Sequence, residues 1–294
     1  MNASNERVFY YHADASPLGG YLTHPFESVL PTHASVSLSQ AGGHVAARAE
    51  NIRLDDLISC GAAYSQISGS VQPITRNWTT LVTAVVEDLN VLEIVTADRI
   101  VSRLAIEHPR DGYYPKVSVV GSQYENLRIG GRSVTPTVDL DLFSAPVADQ
   151  KPRFAVEGDM LPAEAAPSSI GFPDRPWPDV GSFTRRAVEQ NERMTSATGV
   201  PTWLKRRYEW MESAEARSRK GYALCSLVQE VHGTAPGSTF GHIVHVPGLG
   251  NVFLGELVVA PSSFSLTMLR IEMGCVADGT VSLASTRGNG YPMP

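Results

Sequence analysis

Cysteine is scarce in this chain: three in 294 residues, at 60, 225 and 275, with no CxxC spacing. An odd and scattered set argues against a disulfide framework and a zinc knuckle. The expectation is buried free thiols in a reducing compartment, with Cys60 and Cys275 left free to pair if the fold brings them together. Long apolar runs are missing too. Nowhere is there the ~18-residue stretch that spans a bilayer, and the first twenty residues lack a basic segment followed by an apolar one. The chain is therefore expected to be cytoplasmic with no membrane span, non-classical export being the one route left open. Positive charge is also in short supply. With 24 basic against 30 acidic residues, a net charge of −6 and a pI near 5.8, no global field draws the protein onto nucleic acid.

Recognisable catalytic motifs are absent as well. There is no GxSxG, P-loop or HExxH, and no GxGxxG between a strand and a helix. The glycines of "GLGNVFLG" (248–255) lead into a strand, so no helix N-terminus follows to hold a phosphate. An ordinary hydrolase, kinase or dehydrogenase is disfavoured, and no cofactor or metal is expected.

What is present is a β pattern. From Val8 to about Phe143, short β-branched runs alternate with Gly, Pro, Asn and Asp breaks. "ASVSLS" (34–39) and "HVAARAENIRL" (44–54) flank Gly42-Gly43, which reads as a hairpin. Residues 79–108 fit a helix almost as well as strands, but their richness in Val, Ile and Thr favours strands, with Asp88 to Asn90 as the turn. Residues 116–143 read as a meander. "GHIVHVPGLGNVFLGEL" (241–257) reads as strand, Pro-Gly turn, strand, which puts His242 and His245 on opposite faces and unable to share one metal ion. Asn51-Ile52-Arg53-Leu54, Asn126-Leu127-Arg128-Ile129 and Met268-Leu269-Arg270-Ile271 echo one another, as evidence for a repeat no stronger than chance.

Between the β blocks lies another kind of sequence. Residues 145–178 hold seven prolines, too many for regular structure, and read as an extended surface connection. A helix is then expected from about Ser182 to Ala197, closed by Gly199, and a second from Pro201 to just before Gly221. The expected fold is mainly β, an antiparallel β-sandwich or barrel-like core with an inserted α-helical hairpin. Its parts are an N-terminal β block (1–144), the proline-rich connection (145–180), the hairpin (181–222) and a C-terminal β block (223–294) completing the same domain.

Candidate chemistry is sparse. His12 and Asp14, two apart, share a strand face and form an oriented imidazole or contribute metal ligands. With His24 and Asp98 they are the catalytic candidates. Asp139 and Asp141 are expected on one face of an edge strand, as a solvated pair. The hairpin holds nine basic residues against five acidic, so the rest of the chain is strongly acidic. On its second helix Trp203, Arg207, Trp210 and Ala214 line one face, with Tyr208 adjoining. Two uses follow: docking onto the β core, or contact with another chain through Trp203, Arg206, Arg207, Tyr208 and Trp210, residue types favoured as anchors.

"VTADRIVSRLAIEHP", "GSQYENLRIGG", "VPGLGNVFLGE" and "LTMLRIEM" resemble the order of segments in the uncharacterised bacterial choice-of-anchor P proteins, over about residues 80–140 and 240–285. The resemblance implies a β-rich fold and supplies no catalytic residues. It also implies an exported, anchored role, from which this chain departs by lacking a signal peptide and carrying the helical insertion.

The leading expectation is a non-enzymatic structural or interaction protein that forms a homo-oligomer or binds a protein partner through the basic hairpin. The alternatives are an enzyme or small-molecule binder with a pocket in the β core, and a surface-exposed or secreted β module.

Overall fold

The computed structural model describes residues 9–110, 115–143, 183–260, 263–274 and 277–289. The protein is mainly β, 59% strand and 13% helix, in two antiparallel sheets with no closed barrel among the described residues. The strands are β1 (Ala13–His24), β2 (Ser28–Leu30), β3 (Val36–Ser37), β4 (Gly43–Leu54), β5 (Ile58–Val71), β6 (Trp78–Val91), β7 (Val95–His108), β8 (Lys116–Ser118), β9 (Gln123–Glu125), β10 (Arg128–Ile129) and β11 (Arg132–Val138). A helical segment follows, with α1 (Phe183–Ser196), α2 (Thr202–Tyr208), a single 3-10 turn (Glu209–Glu212) and α3 (Ala214–Lys220). The chain then returns to strands β12 (Ala223–Ser226), β13 (Val228–Gly233), β14 (Ser238–Phe240), β15 (Ile243–Val246), β16 (Gly250–Ala260), β17 (Ser263–Gly274) and β18 (Asp278–Asn289).

One sheet runs β14-β15-β16-β17-β18-β1-β2, the other β13-β11-β10-β7-β6-β5-β4. They pack face to face, β18 lying over β6 and β7, and β1 over β5 and β6. Val82, Ile100, Leu104, Leu266 and Leu283 are wholly buried between them. Two polar ties cross this core: Ser102 and Thr286 share a 2.8 Å hydroxyl bond, and the Tyr124 hydroxyl donates to the Met268 carbonyl. The first and last strands pair along β1 and β18, so both β blocks complete a single sandwich.

Three local readings need correction. Gly42, at positive φ, closes a turn over Gln40–Ala41 by donating to the Ser39 carbonyl, but β3 pairs with β1 while β4, from Gly43, pairs with β5, so this is a crossover between sheets. The β6–β7 turn lies at Leu92–Ile94, with Leu92 and Glu93 at φ 54° and 55°. Asp88, also at positive φ, sits within β6. Finally, β11 ends at Val138, and Asp139 and Asp141 lie in the turn that follows.

Asp88 belongs to a seam that crosses each sheet. In one sheet Asn51, Asp88 and Asn126 adopt left-handed φ, lying opposite Gly61 and Asp98 on the intervening strands. In the other, Gly255 and Ala284 do so, facing Met268 and Pro17. The inward positions change phase at the seam. In β6, Val82, Ala84 and Val86 are buried before it, Leu89 and Val91 after it. In β17, Leu266 and Met268 give way to Leu269 and Ile271. Asn, Asp and Gly tolerate the left-handed region best, and they fill all of these positive-φ positions except Ala284. The four-residue echoes thereby gain a physical reason, since each begins on the seam. Asn51 is exposed, so Asn51→Val should cost about 1–2 kcal/mol through backbone strain alone. Asn51→Gly should stay close to the parent, the two being compared by urea denaturation.

Candidate functional site

The helical segment is fastened to the outer face of the β14–β2 sheet. In α1, Phe183, Ala187, Asn191 and Met194 recur on one buried face. Asn191 donates to the Leu224 carbonyl, and Gln190 donates to the carbonyls of Ser226 and Val228 while accepting from the Ser226 amide. The expected second helix starts after Pro201 and ends at Gly221, as its punctuation indicates, but it is not continuous. Ser213 is extended and caps α3 by accepting from the Ala216 amide at 3.2 Å. Trp203, Arg207, Trp210 and Ala214 therefore do not form one helical face.

This break sets the fate of the five proposed partner residues. Trp203 and Arg206 are exposed. Tyr208 is wholly buried and removed from any contact surface, a correction to the sequence reading. Arg207 pairs with Glu272 at 3.0 Å and lies 4.7 Å from the Phe253 ring centre. Trp210 is half-buried, donates to the Arg207 carbonyl and packs edge-on against Tyr222. The stripe is mostly spent on docking.

Beneath it lies a buried polar cluster. Arg270 donates Nε and Nη2 to Glu256 and Nη1 to Glu272. The Tyr208 hydroxyl is 3.5 Å from Glu256 and 3.4 Å from His242 Nε2. Burial lowers the His242 pKa to about 4, the pull of Glu256 being outweighed. Burial likewise raises the pKa of Tyr208. The cluster presents a neutral imidazole and a saturated carboxylate under packed side chains. His108, in contact with the Phe9 ring at the core, is also driven to about 4 by burial.

Both histidines have folded pKa values below the ordinary ~6.5, so the unfolded chain binds the extra proton first. Their contribution to stability is complete above about pH 6.5 and is lost as pH falls toward 4. Each should remove on the order of 1–2 kcal/mol by pH 5. His242→Gln should shrink the difference between unfolding free energies measured at pH 7 and pH 5 by that amount, leaving the His108 share.

Of the four catalytic candidates only His12 and Asp14 meet. His12 Nε2 lies 3.6 Å from Asp14, and Asp14 also accepts from Ser37 at 2.5 Å. His12 is exposed. His24 stands at the opposite end of the twelve-residue β1, and Asp98 lies in the other sheet, accepting from Asn126 at 2.5 Å. A cavity of about 30 Å³ lies among Leu18, Leu30, Ile52 and Ile58 and is lined by none of the four. Among the described residues no three His, Cys, Asp or Glu side chains lie close enough to hold a metal ion. The expected β15–β16 hairpin forms, but His242 lies in the turn before β15, buried beside Tyr208, while His245 is exposed on the strand, so strand alternation does not set their faces. Cys60 and Cys225 are buried free thiols, and burial raises the Cys60 pKa to about 11. Cys275 and residues 145–178 fall outside the described residues.

The outer face of the other sheet carries a row of charge that no sequence motif marks. Arg48 pairs with Glu50 at 2.8 Å and lies 5.4 Å from the Tyr64 ring centre. Arg99 donates to the Tyr64 hydroxyl at 3.1 Å and sits 3.5 Å from Glu87 and 3.4 Å from Glu125. The row thus runs across β9, β7, β6, β5 and β4 and stops at the free edge. The terminal strands differ greatly in length: three residues in β14 and β2, six in β13, twelve in β4. Along β4, Val45, Ala47 and Ala49 take the half-buried inward positions, while His44, Ala46, Arg48 and Glu50 are exposed. The signal was legible as strict alternation in "HVAARAE", but nothing local marks a strand as terminal.

A model for a domain of unknown function, DUF8256, matches residues 9–260. The chain belongs to that family. No curated protein and no solved structure matches it significantly.

Proposed function

We propose that this member of the DUF8256 family is a non-enzymatic interaction protein, a subunit that assembles with copies of itself. The observation that carries this reading is the β4 edge: twelve residues long, hydrogen-bonded on one side only among the described residues. Shortness, proline and a charge pointing inward are three of the devices that blunt an edge strand, beside outward charge, bulges and covering segments. From Gly43 to Glu50 the first three are absent, and the outward charges, Arg48 and Glu50, are of opposite sign and so able to complement a second copy. The assembly element is then the sheet edge and not the helical hairpin, whose aromatic side chains are largely occupied. No helix among the described residues is long and apolar enough to cross a membrane, and an exported or anchored setting, as in the choice-of-anchor P group, would use the same edge.

Light scattering across a concentration series tests this. The parent should exceed its 31.7 kDa chain mass, and Ala47→Pro should return it to that mass with an unchanged circular dichroism spectrum. A parent that stays at the chain mass throughout would overturn self-assembly.

A further inference from the structure

We infer that two copies join β4 to β4 antiparallel about a two-fold axis through Ala49, making one sheet continuous across the dimer. The inference rests on the assembly reading above and adds its partner and register. From Ala47 to Glu50, before the phase change at Asn51, outward side chains on β4 must meet outward side chains of the second strand, which restricts this central pairing to slips of two residues. With Ala49 opposite Ala49 of the second copy, Arg48 of each strand faces Glu50 of the other. A slip one step either way sets Arg48 against Arg48, or Glu50 against Glu50, and like charges directly opposite are destabilising.

The same register joins the two charge rows. Glu125, Arg99, Glu87, Tyr64, Arg48 and Glu50 already lead to the edge, and the second copy continues the alternation. Ala49 is small and half-buried, so its own side chain does not obstruct the axis. A two-fold contact uses the same patch twice and closes on itself, yielding a dimer and no fibre along this edge.

Disulfide trapping decides the register. Across an antiparallel pair, opposite Cα atoms lie about 4.5–5.5 Å apart, within disulfide reach. Ala49→Cys should form a reductant-sensitive dimer on mild oxidation. Ala47→Cys, facing Asn51 of the second copy, and the parent, whose Cys60 and Cys225 are buried, should not. Arg48→Glu should weaken dimerisation about ten-fold by setting like charges opposite twice over, and adding Glu50→Arg should restore it. If the parent assembles but Ala49→Cys does not cross-link, or the double swap fails to rescue, the register is wrong and the assembly reading survives. A monomeric parent removes both.

Discussion

Arg270→Met is expected to lower the unfolding free energy by about 3–5 kcal/mol, because it strands a buried carboxylate. Glu256 and Arg270 are only 9% and 14% exposed at their side chains. Burial works against the Arg270 charge, yet its hydrogen bonds to Glu256 and Glu272 outweigh that cost and raise its pKa. Without the guanidinium, Glu256 keeps only the long contact to Tyr208, which cannot compensate a charge removed from water. Arg270→Met combined with Glu256→Leu should recover most of the loss, since replacing both members of a buried pair with apolar groups is often close to neutral. Urea titrations of the two single variants and the double variant at pH 7 give the test. A single-variant loss under about 1 kcal/mol would show that the pair is hydrated in solution.

Phe253→Ala should cost a similar amount, about 3–5 kcal/mol, with a different signature. Phe253 is wholly buried in the satellite cluster of Met194, Val200, Leu204, Tyr208 and Ile243 that joins the helical segment to the sheet. Its ring also lies 3.9 Å from the Arg270 guanidinium carbon and 4.7 Å from that of Arg207. The main sandwich core is a distinct cluster that also takes in Phe183, Ala187 and Met211, so loosening should begin at α2, whose buried Leu204 and Tyr208 belong to the satellite cluster. Trypsin should cut Phe253→Ala first at the exposed Lys205 and Arg206, at enzyme levels that leave the parent whole. Cleavage spread evenly along the chain would show that the two clusters unfold together.

The sequence patterns revealed as much of this fold as local physics controls. The β15–β16 hairpin was readable because Pro247 and Gly248 interrupt two β-branched runs, and a tight turn needs nothing from the rest of the chain. The limits of the helical segment were readable from Pro201 and Gly221 for the same reason. Its interior was not. The stretch from Tyr208 to Ala214 suits a helix by propensity, and the break at Ser213 comes with Tyr208 and Met211 both wholly buried against the body of the protein. The crossover at Gly42-Gly43 was missed because a glycine pair specifies a reversal, while the partner of each flanking strand is a distant segment. Glu256 and Arg270 offered a faint signal, two charges in apolar runs 14 residues apart, but only strand pairing shows that they meet.

From the sequence alone follow the β class, the helical insertion and the want of a familiar catalytic motif, because alternation, punctuation and residue chemistry act over a few neighbours. The tertiary structure alone decided that the aromatic hairpin lies down on the sheet, that His12, His24 and Asp98 stand apart, and that β4 is left at the edge. Which strand ends a sheet depends on pairings between residues far apart in the chain, and no local pattern encodes them.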